Sequence, residues 1–393
     1  MIRYALPAAW ARYDPAQVNA PLVAAKAAVL SLNAMPCQRS WAEQLQAVQL
    51  KREVAGTSRI EGAEFRDDKE LDEALQEPPP ADLLTRSQRQ AAAAVNTYRW
   101  IARLPDDRPL DRALILEIHR RIVTGADDDH CPPGQLRADG QNVTFGTPRH
   151  RGADGGAVCE RAFGGLCRAA AGEMQGHDPL VHALAVHYHL AAMHPFLDGN
   201  GRTARALEAL LLQRQGLRDT LFIAMSNYYY DEKDAYLKAL ADTRGKGHDL
   251  TPFLNFGLKG VELQCRRLLK EIKTHVSKAL YRDVMRDLFG KLRTPRKRAI
   301  TERQLKILDL LLESETTYSV ITDRVGHLYD DLRYPEKTFM RDLHRLIDLG
   351  AIAVRHEAKV NYLHIRLEWP EEITETEFFE RIKRMPRAKT RLF

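Results

Sequence analysis

The sequence predicts a mainly α protein with a small β-hairpin inserted in its helices and a winged helix-turn-helix at its C-terminal end. Three observations carry this. Apolar residues recur at helical spacing in run after run through the first three-quarters of the chain. The stretch from Asp127 to Gly156 breaks that texture: it is rich in Gly, Pro, Asp and Asn and holds a short β-like "NVTFG". After the basic linker "KLRTPRKR" (291–298), three short helical patterns precede an alternating segment.

Taken in order, residues from about Pro21 to Leu50 read as helical, with Leu22, Val29, Leu32, Leu45 and Val48 as the spaced apolar positions. "EVAGTSRIEGAEFRDDKELDEALQ" interrupts and restarts the pattern, Gly56 and Gly62 marking the break. "EPPPADLL" (77–84) is a stiff turn before an Ala-rich helix through about Trp100. "DRALILEIHRRIVTG" (111–125) is helical and stopped by Gly125. The Asp127–Gly156 stretch is too long for a plain connection and reads as an ordered loop with a hairpin. Helices return over Val158–Ala171 and over "HDPLVHALAVHYHLAAMH" (177–194), where Asp178 is placed as N-cap and Pro179 as first helical residue. Further helices are expected at about Arg202–Gln215, closed by Gly216, then at Asp231–Arg244 and Thr251–Phe289. "TERQLKILDLLLES", "YSVITDRVG" and "PEKTFMRDLHRLIDLGAI" supply the last three helices, and "AVRHEAKVNYLHIRLEW" alternates as a two-stranded wing. The expected division is an N-terminal helical domain (1–110), a core with trailing helices (111–290), the winged module (291–370) and a basic tail (371–393).

Composition excludes some classes. A hydrophobic content of 44% and a charged content of 28% suit a folded globular protein. The five cysteines (Cys37, Cys131, Cys159, Cys167, Cys265) have neither paired nor repeated spacing, so no disulfide framework or zinc ribbon is indicated. The N-terminus lacks a signal-peptide core and no apolar run approaches the roughly 20 residues of a spanning helix, so the expectation is a cytoplasmic protein with no membrane partner. About two-thirds of the formal charge of +6 lies from Lys291 onward, which sets the C-terminal part aside for a separate reading.

The chemistry concentrates in "HPFLDGNGRTAR" (194–205). If a helix starts after it, the first unpaired N–H groups and the macrodipole face the loop, while Gly199 and Gly201 let the backbone approach a ligand. That is an anion nest suited to phosphate, with Arg202 and Arg205 able to lean on the same phosphates. Asp198 is out of place there unless a cation such as Mg²⁺ lies between it and the phosphates. Asn200 closes the nest or donates to a phosphate oxygen, and Phe196 anchors the loop in the core. His194, at the end of the preceding helix, has the side chain of a general base.

This stretch resembles the Fic family signature, H-x-F-x-(D/E)-G-N-G-R-x-x-R, at every specified position, and the likeness extends over roughly residues 110–265. The resemblance implies a Fic helical fold with a β-hairpin flap, and transfer of AMP from ATP to a Ser, Thr or Tyr hydroxyl of a target protein. It implies that His194 deprotonates that hydroxyl, that Asp198 holds Mg²⁺, that Gly199, Asn200, Gly201 and Arg202 line the phosphates, and that Arg205 meets the γ-phosphate. "GQLRADGQNVTFG" (134–146) resembles the flap, with Val143 and Phe145 edging the nucleotide and target sites. "SNYYYDEKDAYLKAL" resembles the segment lining the adenine pocket, where Tyr236 aligns with a family tyrosine; ordinary helix packing is the other reading of Tyr228, Tyr229 and Tyr236.

Beside such a core, "TSRIEG" (57–62) resembles the inhibitory motif (S/T)-x-x-x-E-(G/N) of the class whose inhibitory helix precedes the core. The resemblance implies that Glu61 pairs with Arg205, taking the partner of the γ-phosphate, and that Thr57 caps or braces the helix. The same glutamate could instead align a water for removing AMP.

In the winged module, Lys337, Arg341, His344 and Arg345 form a basic face on the third helix, with Phe339, Leu343 and Leu346 turned inward and Lys359 and Arg366 near the wing. Asp330, Asp331, Asp342 and Asp348 dilute that charge, so DNA binding and protein interaction or homodimerisation both stand. A nucleotide-sensing transcriptional regulator is the non-enzyme alternative. A metal hydrolase built on His177-Asp178 with His182, His187 and His189 lacks the further spaced ligands it needs.

Overall fold

Helix α7 (Pro179–Met193) shows how the chain assembles, because its residues are buried from Leu180 to Met193 except His182. A helix apolar on every side must be wrapped by others. The computed structural model that shows this describes residues 2–35, 38–76, 85–146, 148–214, 223–291, 297–357, 360–372 and 374–384. It falls into two compact units, Met1–Lys270 and Glu271–Phe393. Residues 1–110 therefore form one unit with the core instead of a separate domain, and the boundary lies earlier than the linker at 291.

The first unit begins with β1 (Ile2–Arg3) and continues through α1 (Pro15–Asn33), α2 (Arg39–Ile60), α3 (Asp68–Ala74), α4 (Arg86–Ala102) and α5 (Arg112–Val123). The flap strands β2 (Thr144–Phe145) and β3 (His150–Arg151) follow, then α6 (Ala157–Ala171), α7, α8 (Asn200–Leu212), α9 (Met225–Asp231), α10 (Lys233–Gly245) and the first half of α11 (Thr251–Gly290). Side-chain caps start several helices: Asp14 receives Ala16 N–H, Asp111 receives Leu114 N–H, and Thr85 with Gln88 forms a capping box on α4. Asp178 caps α7 through Leu180 N–H with Pro179 at its first position, as expected.

The sequence reading needs two corrections in the N-terminal region. The expected helix over 21–50 is two helices, and Pro21 sits inside the first. Gly56 does not break α2, which runs on to Ile60; a Cβ there would collide with the backbone of Ser226 and Asn227 at the start of α9. Gly56 is small so that two helices can touch. The flap pairs Phe145 with His150 and Thr144 with Arg151, and β1 adds in parallel to β3, giving the order β1-β3-β2. The turn at 77–84, Cys37, Gly216, Lys359, most of the 291–298 linker and the end of the basic tail lie outside the described residues.

The second unit contains the end of α11, α12 (Lys297–Glu313), β4 (Thr316–Thr317), α13 (Tyr318–Val325), α14 (Pro335–Asp348), β5 (Ile352–Glu357), β6 (Val360–Ile365), α15 (Trp369–Glu372) and α16 (Glu375–Arg384). Three helices and a hairpin follow the order of a winged helix-turn-helix, with sheet order β4-β6-β5. Its core gathers Ile307, Leu311, Leu343, Leu346, Leu363 and Trp369. Asp342 does not dilute a surface charge as expected: it is buried and accepts hydrogen bonds from Arg303, Gln304 and Tyr329. A buried carboxylate needs such partners to stay charged. No helix among the described residues is long and apolar enough to cross a membrane.

Candidate active site

The site forms where α7 ends and α8 begins. His194 closes α7 in the left-handed conformation, φ 48°, an uncommon state for a residue with a Cβ. Four groups hold it there. Its Nδ1 donates to Ala191 O at 2.5 Å, so Nε2 keeps its lone pair. Arg137 Nε donates to His194 O at 2.8 Å, Arg137 N–H to Pro195 O at 3.0 Å, and Ala153 N–H to Met193 O at 2.9 Å. The ring of Phe145 stacks on the imidazole at 3.5 Å between centroids and 8° between planes. Burial pushes the His194 pKa down to about 4, so the ring is neutral at physiological pH.

The loop beyond is locked by its own residues. Asn200 clamps Phe196 on both sides, accepting from its N–H and donating to its carbonyl, each at 2.9 Å. The Asn200 carbonyl oxygen and one of its amide N–H groups are thus engaged in closing the loop. Gly199 has φ 72°, and a Cβ on it would strike Val123. Phe196 is buried and stacks on His119 at 3.6 Å, which confirms its role as an anchor. His119 takes Gly134 N–H on Nδ1 and therefore donates from Nε2 to Asp198 O at 3.1 Å.

Asp198 faces three cationic or polar partners: Arg202 at 3.1 Å, Arg86 at 3.1 Å and His130 at 2.9 Å. Partial burial opposes its charge, but the His130 hydrogen bond and Arg202 hold its pKa below the usual carboxylate range. Arg202, itself buried, also meets the fully buried Asp127 at 2.6 Å. The ligand atoms of Asp127, His130 and Asp198 lie within 4.8 Å of one another, a group able to hold a cation among the described residues.

Arg205, the last of the loop's arginines, is buried at 2% exposure and reaches back to α2. Its Nη2 donates to Glu61 Oε1 at 2.6 Å and its Nε to Thr57 Oγ1 at 2.9 Å. Thr57 therefore braces the arginine rather than capping a helix, and its carbonyl takes a further contact at 3.2 Å. Burial opposes the Glu61 charge, and Arg205 overcomes it and lowers the pKa. The Glu61 carboxylate lies against Gly201, where any Cβ would collide with it. It thus occupies the first turn of α8, where unpaired N–H groups attract an anion.

A cleft of about 240 Å³ opens between these parts, lined by Glu61, Val143, Phe145, His194, Asp198 and Gly201 among others. Val143 and Phe145 are at its edge, as expected of the flap. Tyr236 is not: it is buried, stacks on Tyr229 at 4.7 Å, and bonds His187 Nε2 at 2.9 Å. The adenine contact implied for it gives way to a buried network in which His187 and Tyr229 also meet Glu208. Two more of the clustered histidines make packing contacts, His189 binding Trp10 O and His177 Nδ1 meeting Tyr13 Oη. Arg86, Asp127, His130, His119 and Arg137 were missed in the sequence. Only Arg137, within "GQLRADGQNVTFG", and the acidic run before His130 gave any local signal.

Comparison with known proteins agrees with this geometry. The Fic/DOC family model matches residues 109–212. A protein adenylyltransferase, fic-1, of Caenorhabditis briggsae is 30% identical over 160 residues, 41% of this chain and 29% of its own length. The protein adenylyltransferase Fic of Drosophila ananassae is 31% identical over 144 residues, 36% of this chain and 26% of its own. The chain thus covers under a third of those relatives' length. A Fic family protein from Desulfovibrio desulfuricans G20 superposes with a TM-score of 0.55 at 18% identity, over 92% of this chain and 99% of that one. A fragment of Fic-1 from C. elegans gives 0.52 at 20%, over 64% and 71%. At these identities the solved structures establish the fold.

Proposed function

We propose that this chain, a Fic-family protein, is an adenylyltransferase that moves AMP from ATP to a hydroxyl side chain of a target protein and is held back by its own Glu61. The observation that carries the reading is the set of groups around the cleft: a neutral His194 whose Nδ1 is the donor, a helix start with two glycines, and the Glu61 carboxylate that Arg205 holds there.

In this reading the target presents a Ser, Thr or Tyr hydroxyl beside His194, under the ring of Phe145. His194 Nε2 takes the hydroxyl proton as the oxygen attacks the α-phosphorus. The bond from that phosphorus to the bridging oxygen breaks, and pyrophosphate leaves with its charge facing the N–H groups of α8, Arg202 and Arg205. Pyrophosphate needs little protonation, so one base suffices. Mg²⁺, when bound, would neutralise phosphate charge, and the Asp198 carboxylate is the group suited to hold it. Arg137 fixes His194 without touching the reacting atoms.

Glu61 opposes this arrangement in two ways. It takes the Arg205 guanidinium that the γ-phosphate requires, and it sets a carboxylate at the helix start where phosphate would lie. The test is intact mass spectrometry of the full chain and a lysate after incubation with ATP and Mg²⁺. AMP adducts on hydroxyl side chains, absent with His194→Ala, are expected. No adduct from either wild type or Glu61→Gly would overturn the reading.

A further inference from the structure

Two N-terminal helices reach the cleft, and they bring charges of opposite sign. The end of α2 brings the Glu61 carboxylate to the start of α8. The start of α4 brings Arg86, which meets Asp198 Oδ2 through Nη2 at 3.1 Å and Asp127 Oδ1 through Nε at 2.7 Å. We propose that Arg86 occupies the seat of the divalent cation, so that with Glu61 it forms a charge replica of a metal–phosphate pair. This deepens the autoinhibited adenylyltransferase reading and rests on its assignment of Asp198 as the metal ligand.

The details of the cluster single out Arg86 as the removable member. Asp127 is fully buried and keeps Arg202 at 2.6 Å and Gln90 at 2.9 Å when Arg86 leaves. Asp198 Oδ1 keeps Arg202 and its own loop's Gly199 N–H. What Arg86 vacates is Asp198 Oδ2, with His130 Nε2 beside it at 2.9 Å. The Arg86 side chain is 53% exposed, against 2% for Arg202, so it can turn into water without stranding a buried charge. A guanidinium and a divalent ion on one carboxylate oxygen repel each other. Cation binding and Arg86 docking therefore compete.

The test is Mn²⁺ binding to the full chain, followed by electron paramagnetic resonance without nucleotide. Arg86→Ala is expected to tighten Mn²⁺ about three- to fivefold, the scale of losing a half-exposed ion pair, while Arg86→Lys restores the wild-type value in part. Glu61→Gly leaves nucleotide-free Mn²⁺ affinity near wild type, so the two plugs are told apart. Asp198→Asn abolishes binding in every background, and circular dichroism checks that each variant folds. Unchanged or weaker Mn²⁺ binding in Arg86→Ala overturns the inference, as does absence of Mn²⁺ binding in all variants. If Arg86→Ala tightens Mn²⁺ but no variant transfers AMP, the cation seat stands and the transferase reading falls.

Discussion

The loop from His194 to Arg205 and the end of α2 meet at one guanidinium, yet they are built differently. The loop is held from within the core: Asn200 bonds Phe196 twice, Phe196 stacks on buried His119, and Arg137 grips the backbone at His194. The groups that plug it come from partly exposed side chains, Glu61 at 34% and Arg86 at 53%. Groups that would do chemistry are held inside the core, and groups that would restrain it reach them from side chains that face water. The Arg86–Asp198 pair, exposed on both sides, is worth at most about 1 kcal/mol, whereas Glu61 leaves a buried guanidinium behind, so its release calls for an incoming anion to take its place. Local stability is unevenly distributed, with the lower end given to parts that must move.

Substitutions on the rigid side should produce the largest effects. His194→Ala is expected to lower AMP transfer by at least about 100-fold, the scale of losing a general base, with an unchanged thermal midpoint, read by labelled ATP and calorimetry. A variant that keeps substantial transfer would remove His194 as the base. Asn200→Ala strands the Phe196 N–H and carbonyl, and should cost about 2–4 kcal/mol, lowering Tm by about 5–12 °C. If Tm holds while activity falls, Asn200 serves the phosphates and the loop is less rigid than described. Thr57→Ala, on the plugging side, removes one hydrogen bond from buried Arg205 and should cost only about 1 kcal/mol, while raising transfer less than a Glu61 substitution does. A Thr57 variant more active than Glu61→Gly would shift the restraint to the threonine.

The smallest effect concerns pH. Burial holds His194 near 4, so the neutral base persists as pH falls from 8 to about 5, and transfer by Glu61→Gly should stay level over that range. Activity should decline only as pH approaches 4, when the imidazole takes its proton. The linkage runs the same way for folding: the unfolded histidine binds its proton at a higher pH, so stability falls as pH drops from about 6.5 toward 4. A profile with its midpoint near 6.5 would show that the ring is hydrated and loosely held.

The same contrast explains what could be read in the sequence. "HPFLDGNGRTAR" was legible because its chemistry is contiguous: the base, the glycines and the arginines lie on one short strip of chain. Glu61 was legible only through its likeness to a family motif, since nothing in "TSRIEG" says which arginine lies opposite, 144 positions away. Arg86 and Asp127 gave no such signal, because their meaning arises from packing α4 and the loop after α5 against α8. Gly56 misled for the same reason: its missing side chain serves a helix 170 residues distant, not a local break. Tyr236 kept its place in a motif while its hydroxyl turned inward to His187.

The central claim is that one buried guanidinium, Arg205, is contested by Glu61 and by nucleotide. The direct measurement is AMP incorporation from labelled ATP by wild type, Glu61→Gly and the Glu61→Gly, His194→Ala double variant at equal concentration. Incorporation is expected to be about 5- to 150-fold higher in Glu61→Gly than in wild type, the usual range for coupled sites, and absent in the double variant. Equal incorporation by wild type and Glu61→Gly would contradict it.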